Sequence, residues 1–285
     1  MRIEEPLDLT PYNSYGIRAS CARGVFPETE ADLVKAYATC PHDEIVLVGS
    51  GHNIILSRDW YDETFILLNG TFDDITVDGT RMHAQSGAFS TRMSEVALEH
   101  GLTGLEFFYD IPSSLGGAVV MNAGASGEDI AGVLETVRYL DLSEGTVHAL
   151  HPSDAKFGYR QSLFQGGAHK VVLSADLRLE EGDPDAIWAK METMRDARWA
   201  KQPRGFPNAG SVFKRPPGFY VGTMIEELGL KGRRVGGAMI SDQHAGIFVN
   251  CDGATGPDVI ALLEESRQRV KEIYGVDLEP EQIIL

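Results

Sequence analysis

Ser211 and Lys214 stand three positions apart in Asn208-Ala209-Gly210-Ser211-Val212-Phe213-Lys214, a spacing with two chemical readings. In the first, S-x-x-K is the acyl-serine pattern, in which the lysine helps to deprotonate a nucleophile. That pattern comes with S-D-N and K-T-G companions, whereas this chain has only Ser241-Asp242-Gln243 and no K-T-G, so the reading is set aside. In the second, Ser211 donates a proton. A hydroxyl has a high pKa and donates usefully only to a strongly basic carbanion or enolate that cations already stabilise. Arg160, in Phe157-Gly158-Tyr159-Arg160, could supply that charge together with Lys201 and Lys214. Taken singly, each of these three also reads as an ordinary solvated surface residue.

A proton donor of this kind needs a partner that generates the carbanion, and the stretch Ile111 to Gly127, IPSSLGGAVVMNAGASG, could hold one. Its small residues let backbone approach a flat or phosphorylated group, because glycine has no Cβ and reaches positive φ cheaply. A dinucleotide or flavin fits that description. A buried turn between core strands is the plainer alternative, but Gly116-Gly117 is followed closely by Asn122-Ala123-Gly124-Ala125, which favours the ligand. A second polar loop, Gly49-Ser50-Gly51-His52-Asn53, follows the apolar run Ile45-Val46-Leu47-Val48. It lacks the third glycine and the following helix of a G-x-G-x-x-G fingerprint, so the ordinary Rossmann reading fails. Its amides can still form a nest for a pyrophosphate.

The surrounding pattern is α+β. Glu28 to Ala38 reads as an amphipathic helix with Leu33, Val34 and Tyr37 on one face. Thr64 to Ala88 alternates apolar runs with turns such as Asp78-Gly79 and reads as hairpins. A helix from Thr91 to His100 is closed by Gly101. Strands are expected at Val133 to Leu142 and Val171 to Leu179, and a helix at Pro184 to Arg198 with Ile187, Met191 and Met194 on one side. Lys201-Gln202-Pro203 and Phe206-Pro207 break that helix and mark the last domain boundary. Beyond it come a helix at Gly222 to Leu228, strands at Val235 to Ile240 and Ile247 to Val249, and a long helix from Pro257 to Tyr274. The long helix turns Val259, Leu262, Leu263, Val270 and Ile273 inward.

Composition narrows the partners. With 285 residues the chain can bury a substantial core, and a formal net charge of -17 repels nucleic acid. An anionic small molecule would need a local gathering of Lys and Arg within that acidic surface. No apolar run is long enough to span a bilayer and the first residues do not form a signal, so a cytoplasmic protein is expected. Cys21, Cys40 and Cys251 are too few and too dispersed for a disulfide framework. No metal site is expected.

Ordered blocks along nearly the whole chain resemble the UDP-N-acetylenolpyruvoylglucosamine reductases, the MurB family, in their shorter, type II subgroup. The blocks are Asn13-Ser14-Tyr15-Gly16-Ile17, Gly49-Ser50-Gly51-His52-Asn53 and Gly104-Leu105-Glu106-Phe107 running through Ile111-Pro112, Gly116-Gly117-Ala118 and Asn122-Ala123-Gly124-Ala125. They continue with Phe157-Gly158-Tyr159-Arg160, Ala209-Gly210-Ser211-Val212-Phe213-Lys214, Gly229-Leu230-Lys231-Gly232 and Leu278-Glu279-Pro280-Glu281.

The resemblance implies a two-part FAD-binding module of the vanillyl-alcohol-oxidase (PCMH) type followed by a C-terminal α/β substrate-binding domain. Residues 1–70, with the tail 276–285, would form the first flavin subdomain, 71–200 the second, and 201–275 the substrate domain. NADPH would be the hydride donor. The substrate would be UDP-N-acetylglucosamine enolpyruvate, a UDP-sugar, reduced to UDP-N-acetylmuramate for peptidoglycan; a related reductase acting on another nucleotide sugar or natural-product intermediate is the alternative. By carry-over, Ser211 would protonate the enolate, while Arg160 and Glu281 would stabilise the charge on the enolpyruvyl carboxylate. Gly49, Ser50, Gly51, His52, Asn53, Ile111, Pro112, Ser113, Gly116, Gly117, Asn122, Ala123 and Gly124 would hold the cofactor, and Tyr159, Lys201 and Lys214 the substrate. The chain departs from the pattern at His52, Ser113 and Arg215, where the family usually has serine, glycine and asparagine, and its short tail makes Glu279 a rival to Glu281. The protein is expected to be a monomer or a weak homo-oligomer.

Overall fold

Burial alternates along Arg81–Gln85, where Met82 and Ala84 are buried and their neighbours are not, which is the signature of a strand with one face on a core. In the computed structural model, which describes residues 1–40, 44–166 and 169–285, this strand belongs to a five-stranded antiparallel sheet. The sheet order is 146–150, 134–141, 170–178, 81–85, 75–78. The central strand Lys170–Arg178 is buried almost without interruption because both of its faces are covered. Val172, Ala175 and Leu177 pack into a core with Met93, Val96 and Ala97 of helix α2 (Ser90–Glu99) and Leu115, Ala118 and Val119 of α3 (Leu115–Met121). Val171 and Leu173 face a second core with Leu33, Ala36 and Tyr37 of α1 (Glu30–Thr39), Ile45 and Ile66. Next to that helix, Ile45–Val48 pairs in parallel with Thr64–Leu67, and Arg2–Glu4 pairs antiparallel with Gly24–Phe26.

The chain divides into two compact units. The first, Met1–Glu5, Arg23–Ser50 and Asp62–Ala197, contains the elements above and all but the end of α4 (Pro184–Trp199). The second collects Pro6–Ala22, Gly51–Tyr61 and Arg198–Leu285. Its centre is a three-stranded antiparallel sheet with Ala238–Ile240 between Arg234–Val235 and Phe248–Asn250. Against this lies α6 (Gly256–Tyr274), and α5 (Val221–Glu227) packs on α6. The last residues, Ile283–Ile284, pair in parallel with Ile54–Ile55.

Three expectations are corrected. Val235 to Ile240 is a tight hairpin of two strands, because Gly236 takes φ +51 and a Cβ there would strike the Asp258 carboxylate. Ile273 is 64% exposed, since the last turn of α6 runs past the sheet that its earlier turns cover. The strands expected at Val133 to Leu142 and Val171 to Leu179 do not follow one another directly, because the edge strand Thr146–Leu150 lies between them in sequence and pairs with the first.

Helix α6 starts with a capping box in which Thr255 Oγ1 accepts from the Asp258 N–H and the Asp258 carboxylate accepts from the Thr255 N–H. At its first residue, Gly256, a Cβ would lie 1.9 Å from the carbonyl oxygen of Leu56, so the helix end sits directly on the backbone of the Gly51–Tyr61 segment. Helix propensity alone favours alanine over glycine by about 1 kcal/mol in a helix interior. The clash is with backbone, however, and forced overpacking costs about 1–3 kcal/mol or more. Gly256→Ala is therefore expected to lower the midpoint of thermal unfolding by several degrees, read by circular dichroism; a raised midpoint would refute the close approach.

Candidate functional site

In the first unit the two polar loops meet. Ser50 Oγ donates to the Pro112 carbonyl at 3.3 Å, and a Cβ on Gly49 would stand 2.3 Å from Ser114 Oγ. A side chain at position 49 would have to displace the Ser114 hydroxyl. Space is also tight at Gly116, whose N–H donates to the Ser86 carbonyl at 2.8 Å and whose Cβ would be 3.0 Å from that of Ser86. Ile111, Pro112 and Ser113 are clamped by Ser90 at the start of α2, whose Oγ donates to the carbonyls of Ile111 and Ser113 and accepts from the Ser113 N–H. Ser114 caps α3, its Oγ accepting from Gly117 N–H. Thus Gly49, Ser50, Ile111, Pro112, Ser113, Gly116 and Gly117 converge, and the serines that hold them, Ser90 and Ser114, are ones that the motif reading passed over.

Helix α3 ends at Asn122, which takes a left-handed φ of +44, a conformation that asparagine tolerates better than most residues. Its buried side chain is fully engaged, donating to Asp129 at 3.1 Å and to the Gly158 carbonyl at 3.0 Å and accepting from Ala131 N–H at 3.2 Å. Arg160 approaches the same corner. Its guanidinium donates to the carbonyls of Asn122 at 3.1 Å and Gly124 at 3.0 Å, while Tyr159 next to it is exposed. Arg160, Asn122, Ala123 and Gly124 therefore form one cluster, in which two backbone carbonyls orient the guanidinium.

In the second unit Ser211 and Glu281 lie on adjacent strands. The Glu281 N–H donates to the Val212 carbonyl at 2.8 Å, Phe213 pairs with Pro280, and the Lys214 N–H donates to the Glu279 carbonyl at 2.9 Å. On the other side Ser211 pairs with Ile247. Lys214 Nζ is held by the Glu279 carboxylate at 2.6 Å, so this lysine and the rival acid are engaged with each other. Lys201 is exposed. Asn53 donates to the Glu281 carbonyl at 3.0 Å, which ties the loop carrying Gly51 and His52 to the tail.

Each unit, taken by itself, carries unsatisfied polar atoms of the kind that a phosphorylated ligand takes up. Among the described residues the backbone N–H groups of Ser50, Gly51 and Asn53 donate to no other group, and the buried Oγ of Ser14, beside Gly51, meets no hydrogen-bond partner. Buried donors left this way are costly unless a ligand satisfies them. Ser86 Oγ, beneath Gly116, is in the same condition.

Comparison with known proteins agrees with this chemistry. Residues 22–151 match the FAD binding domain family, so the first unit carries the fold of a flavin-binding protein. Residues 202–285 match the C-terminal domain of UDP-N-acetylenolpyruvoylglucosamine reductase. The reductase of that name from Streptococcus pneumoniae (strain CGSP14) is 39% identical over 287 residues, covering 100% of this chain and 94% of the relative. That from Francisella tularensis is 34% identical, covering 99% and 100%. The crystal structure of the Thermus caldophilus reductase superposes with a TM-score of 0.84 at 32% identity, covering 100% and 99%. The chain belongs to the UDP-N-acetylenolpyruvoylglucosamine reductase family. It is an FAD-dependent oxidoreductase of α+β fold, with a flavin-binding module followed by the family's C-terminal domain. Among the described residues no helix is long and apolar enough to cross a membrane.

One titratable group supports the strand beside Ser211. His244 Nδ1 accepts from the Gly246 N–H at 3.2 Å, and the Gly246 carbonyl accepts from Val212 N–H at 3.0 Å. Burial holds the His244 pKa below its ordinary 6.5, with the charges of Lys231 and Lys201 pushing the same way, so the ring stays neutral and keeps its acceptor. A histidine lowered on folding binds protons more readily in the unfolded chain. Its contribution to stability is therefore complete above pH 6.5 and is lost as the pH falls from there through the folded value. His244→Asn, whose Oδ1 can replace the acceptor without titrating, is expected to flatten the pH dependence of urea unfolding in that window. An unchanged slope would show that His244 does not titrate on unfolding.

Proposed function

We propose that this protein uses NADPH to reduce the enolpyruvyl group of UDP-N-acetylglucosamine enolpyruvate, giving UDP-N-acetylmuramate for peptidoglycan precursors. The observation that carries the reading is the strand pairing that puts Ser211 and Glu281 on neighbouring backbones, in a chain whose full-length relatives bear the reductase name. Bound FAD supplies the ring that accepts a hydride from NADPH and delivers it to the enolpyruvyl methylene carbon.

Hydride addition there leaves negative charge on the adjacent carbon and its carboxylate. Arg160 stabilises that charge by its guanidinium, whose position the carbonyls of Asn122 and Gly124 define. Glu281, on the backbone beside Ser211, is assigned to the same charge. The Ser211 hydroxyl gives its proton to the adjacent carbon and regains one from water. The loops at residues 49–53 and 111–124 would hold the cofactor, with the amides of Ser50, Gly51 and Asn53 available as donors to a phosphorylated group. Tyr159, Lys201 and Lys214 hold the UDP-sugar, with the lysine at 214 steered by Glu279. Residues 1–70 with the tail 276–285 and residues 71–200 are assigned to FAD, residues 201–275 to substrate. The enzyme works in the cytoplasm, where nucleotide sugars are made, as a monomer or weak homo-oligomer.

Purified protein is expected to be yellow and to bleach with NADPH. Ser211→Ala should leave that bleaching unchanged and slow recovery of the colour with substrate by about 10²–10⁴-fold, the usual worth of a general acid. Stopped-flow absorbance separates the two half-reactions. A variant that recovers at the wild-type rate would remove Ser211 from the mechanism, and wild-type reduced protein that substrate cannot reoxidise would point to a different nucleotide sugar.

A further inference from the structure

The backbone ladder that aligns residues 212–214 with 279–281 stops short of Ala209 and Gly210, the two residues leading into Ser211. Gly210 sits at φ +72 and a Cβ there would meet nothing within 4 Å, so no side chain packs on the peptide that leads into the serine; its N–H donates to Asn208 Oδ1 at 3.1 Å. The carbonyls on either side of that N–H are held by a second side chain. The amide of Gln282, 4% exposed, donates both of its N–H bonds to this segment, to the Ala209 carbonyl at 3.1 Å and the Gly210 carbonyl at 3.2 Å. Its Oε1 accepts from the hydroxyl of Tyr15, wholly buried, at 2.9 Å. Tyr15 is itself fastened, its carbonyl accepting from Asn250 Nδ2 at 2.8 Å. A planar amide with both donors and its acceptor engaged cannot rotate without breaking them.

We propose that Gln282, locked by the Tyr15 hydroxyl, is the positioning residue for Ser211. The inference rests on the reading of Ser211 as proton donor. Anchoring the tail does not require this side chain, because the backbone already does it: Ile283 N–H donates to the Asn53 carbonyl at 2.9 Å, Leu285 N–H to that of Ile55 at 3.0 Å, and Ser57 N–H to that of Leu285 at 3.0 Å. The three groups that the glutamine clasps lie in two segments far apart in sequence, and one of those segments leads directly into the serine. The glutamine also follows Glu281 directly, so the same residue pair ties the acid and the proton donor to one short length of chain.

The test uses Tyr15→Phe, which removes a single hydroxyl, and Gln282→Glu, whose ionised carboxylate keeps the acceptor toward Tyr15 but loses both donors. In protein free of substrate, hydrogen exchange read by mass spectrometry is expected to accelerate at residues 209–213 in both variants and to stay unchanged along the 283–285 pairing. In the FAD-loaded enzyme, bleaching by NADPH should stay within about twofold of wild type, while recovery with substrate slows by about ten- to a hundredfold, the effect of a displaced catalytic group. Adding Tyr15→Phe to Ser211→Ala should slow recovery no further. Exchange at 209–213 indistinguishable from wild type, or recovery within twofold while Ser211→Ala is slow, would overturn the positioning role and leave the serine's role standing. Wild-type recovery in Ser211→Ala alone would instead remove the reading on which the proposal depends.

Discussion

A loop that carries chemistry has backbone donors and acceptors that no helix or sheet satisfies, and burying them unpaired costs more than most contacts return. In this protein side-chain amides meet that constraint. Asn13 donates to the carbonyls of Leu9 and Ile17 and accepts from the Ile17 N–H. Asn122 does the same for Gly158 and Ala131, Asn208 for Pro203 and Gly210, and Asn250 for Tyr15 and Ala254. An amide is suited to this because it carries donor and acceptor in one plane and remains neutral, so it can close a loop without burying a charge.

The C-terminal tail is where these fastenings accumulate. Its seven residues from Glu279 pair along Val212–Lys214 and then along Asn53–Ser57. Two segments of the second unit that are distant in sequence thus share one strand of backbone, and each bears a residue of the candidate machinery. Losing the tail would release both together. The first unit solves the same problem differently: Arg160, itself a functional candidate, closes the 122–124 corner with its guanidinium.

Elements with a clear apolar period were legible in the sequence. Helices α1, α2, α4 and α6 fall within one or two residues of their expected limits, as do the strands around Ile45, Val137 and Val172. Helix α3 was not legible, because Gly116 and Gly117 disfavour a helix and what sustains it is tertiary: the Leu115 and Gly116 amides donate to the carbonyls of Ala88 and Ser86. Thr146–Leu150 escaped because an edge strand with no buried residue has no period to show. The candidate site shows in the sequence as motifs, but the sequence does not show that a Cβ on Gly49 would meet the Ser114 side chain or one on Gly116 the side chain and carbonyl of Ser86. Tyr15 lay inside a recognised block without a role, and Gln282 carried no signal, since a buried glutamine declares its partners only in three dimensions.

The charge balance follows from the same economy. At a formal net charge of -17 a site for an anionic substrate competes against the surface around it, and free lysines would be drawn to the many carboxylates. Lys214 with Glu279 and Lys190 with Glu106 and Glu128 show that pull. At Arg160 the carbonyl oxygens of Asn122 and Gly124 add fork-shaped contacts that orient a guanidinium without bringing charge of their own. The Gln282 amide is a neutral partner of the same kind for the peptides that lead into Ser211, so those contacts keep their geometry whatever the charge on the surrounding carboxylates.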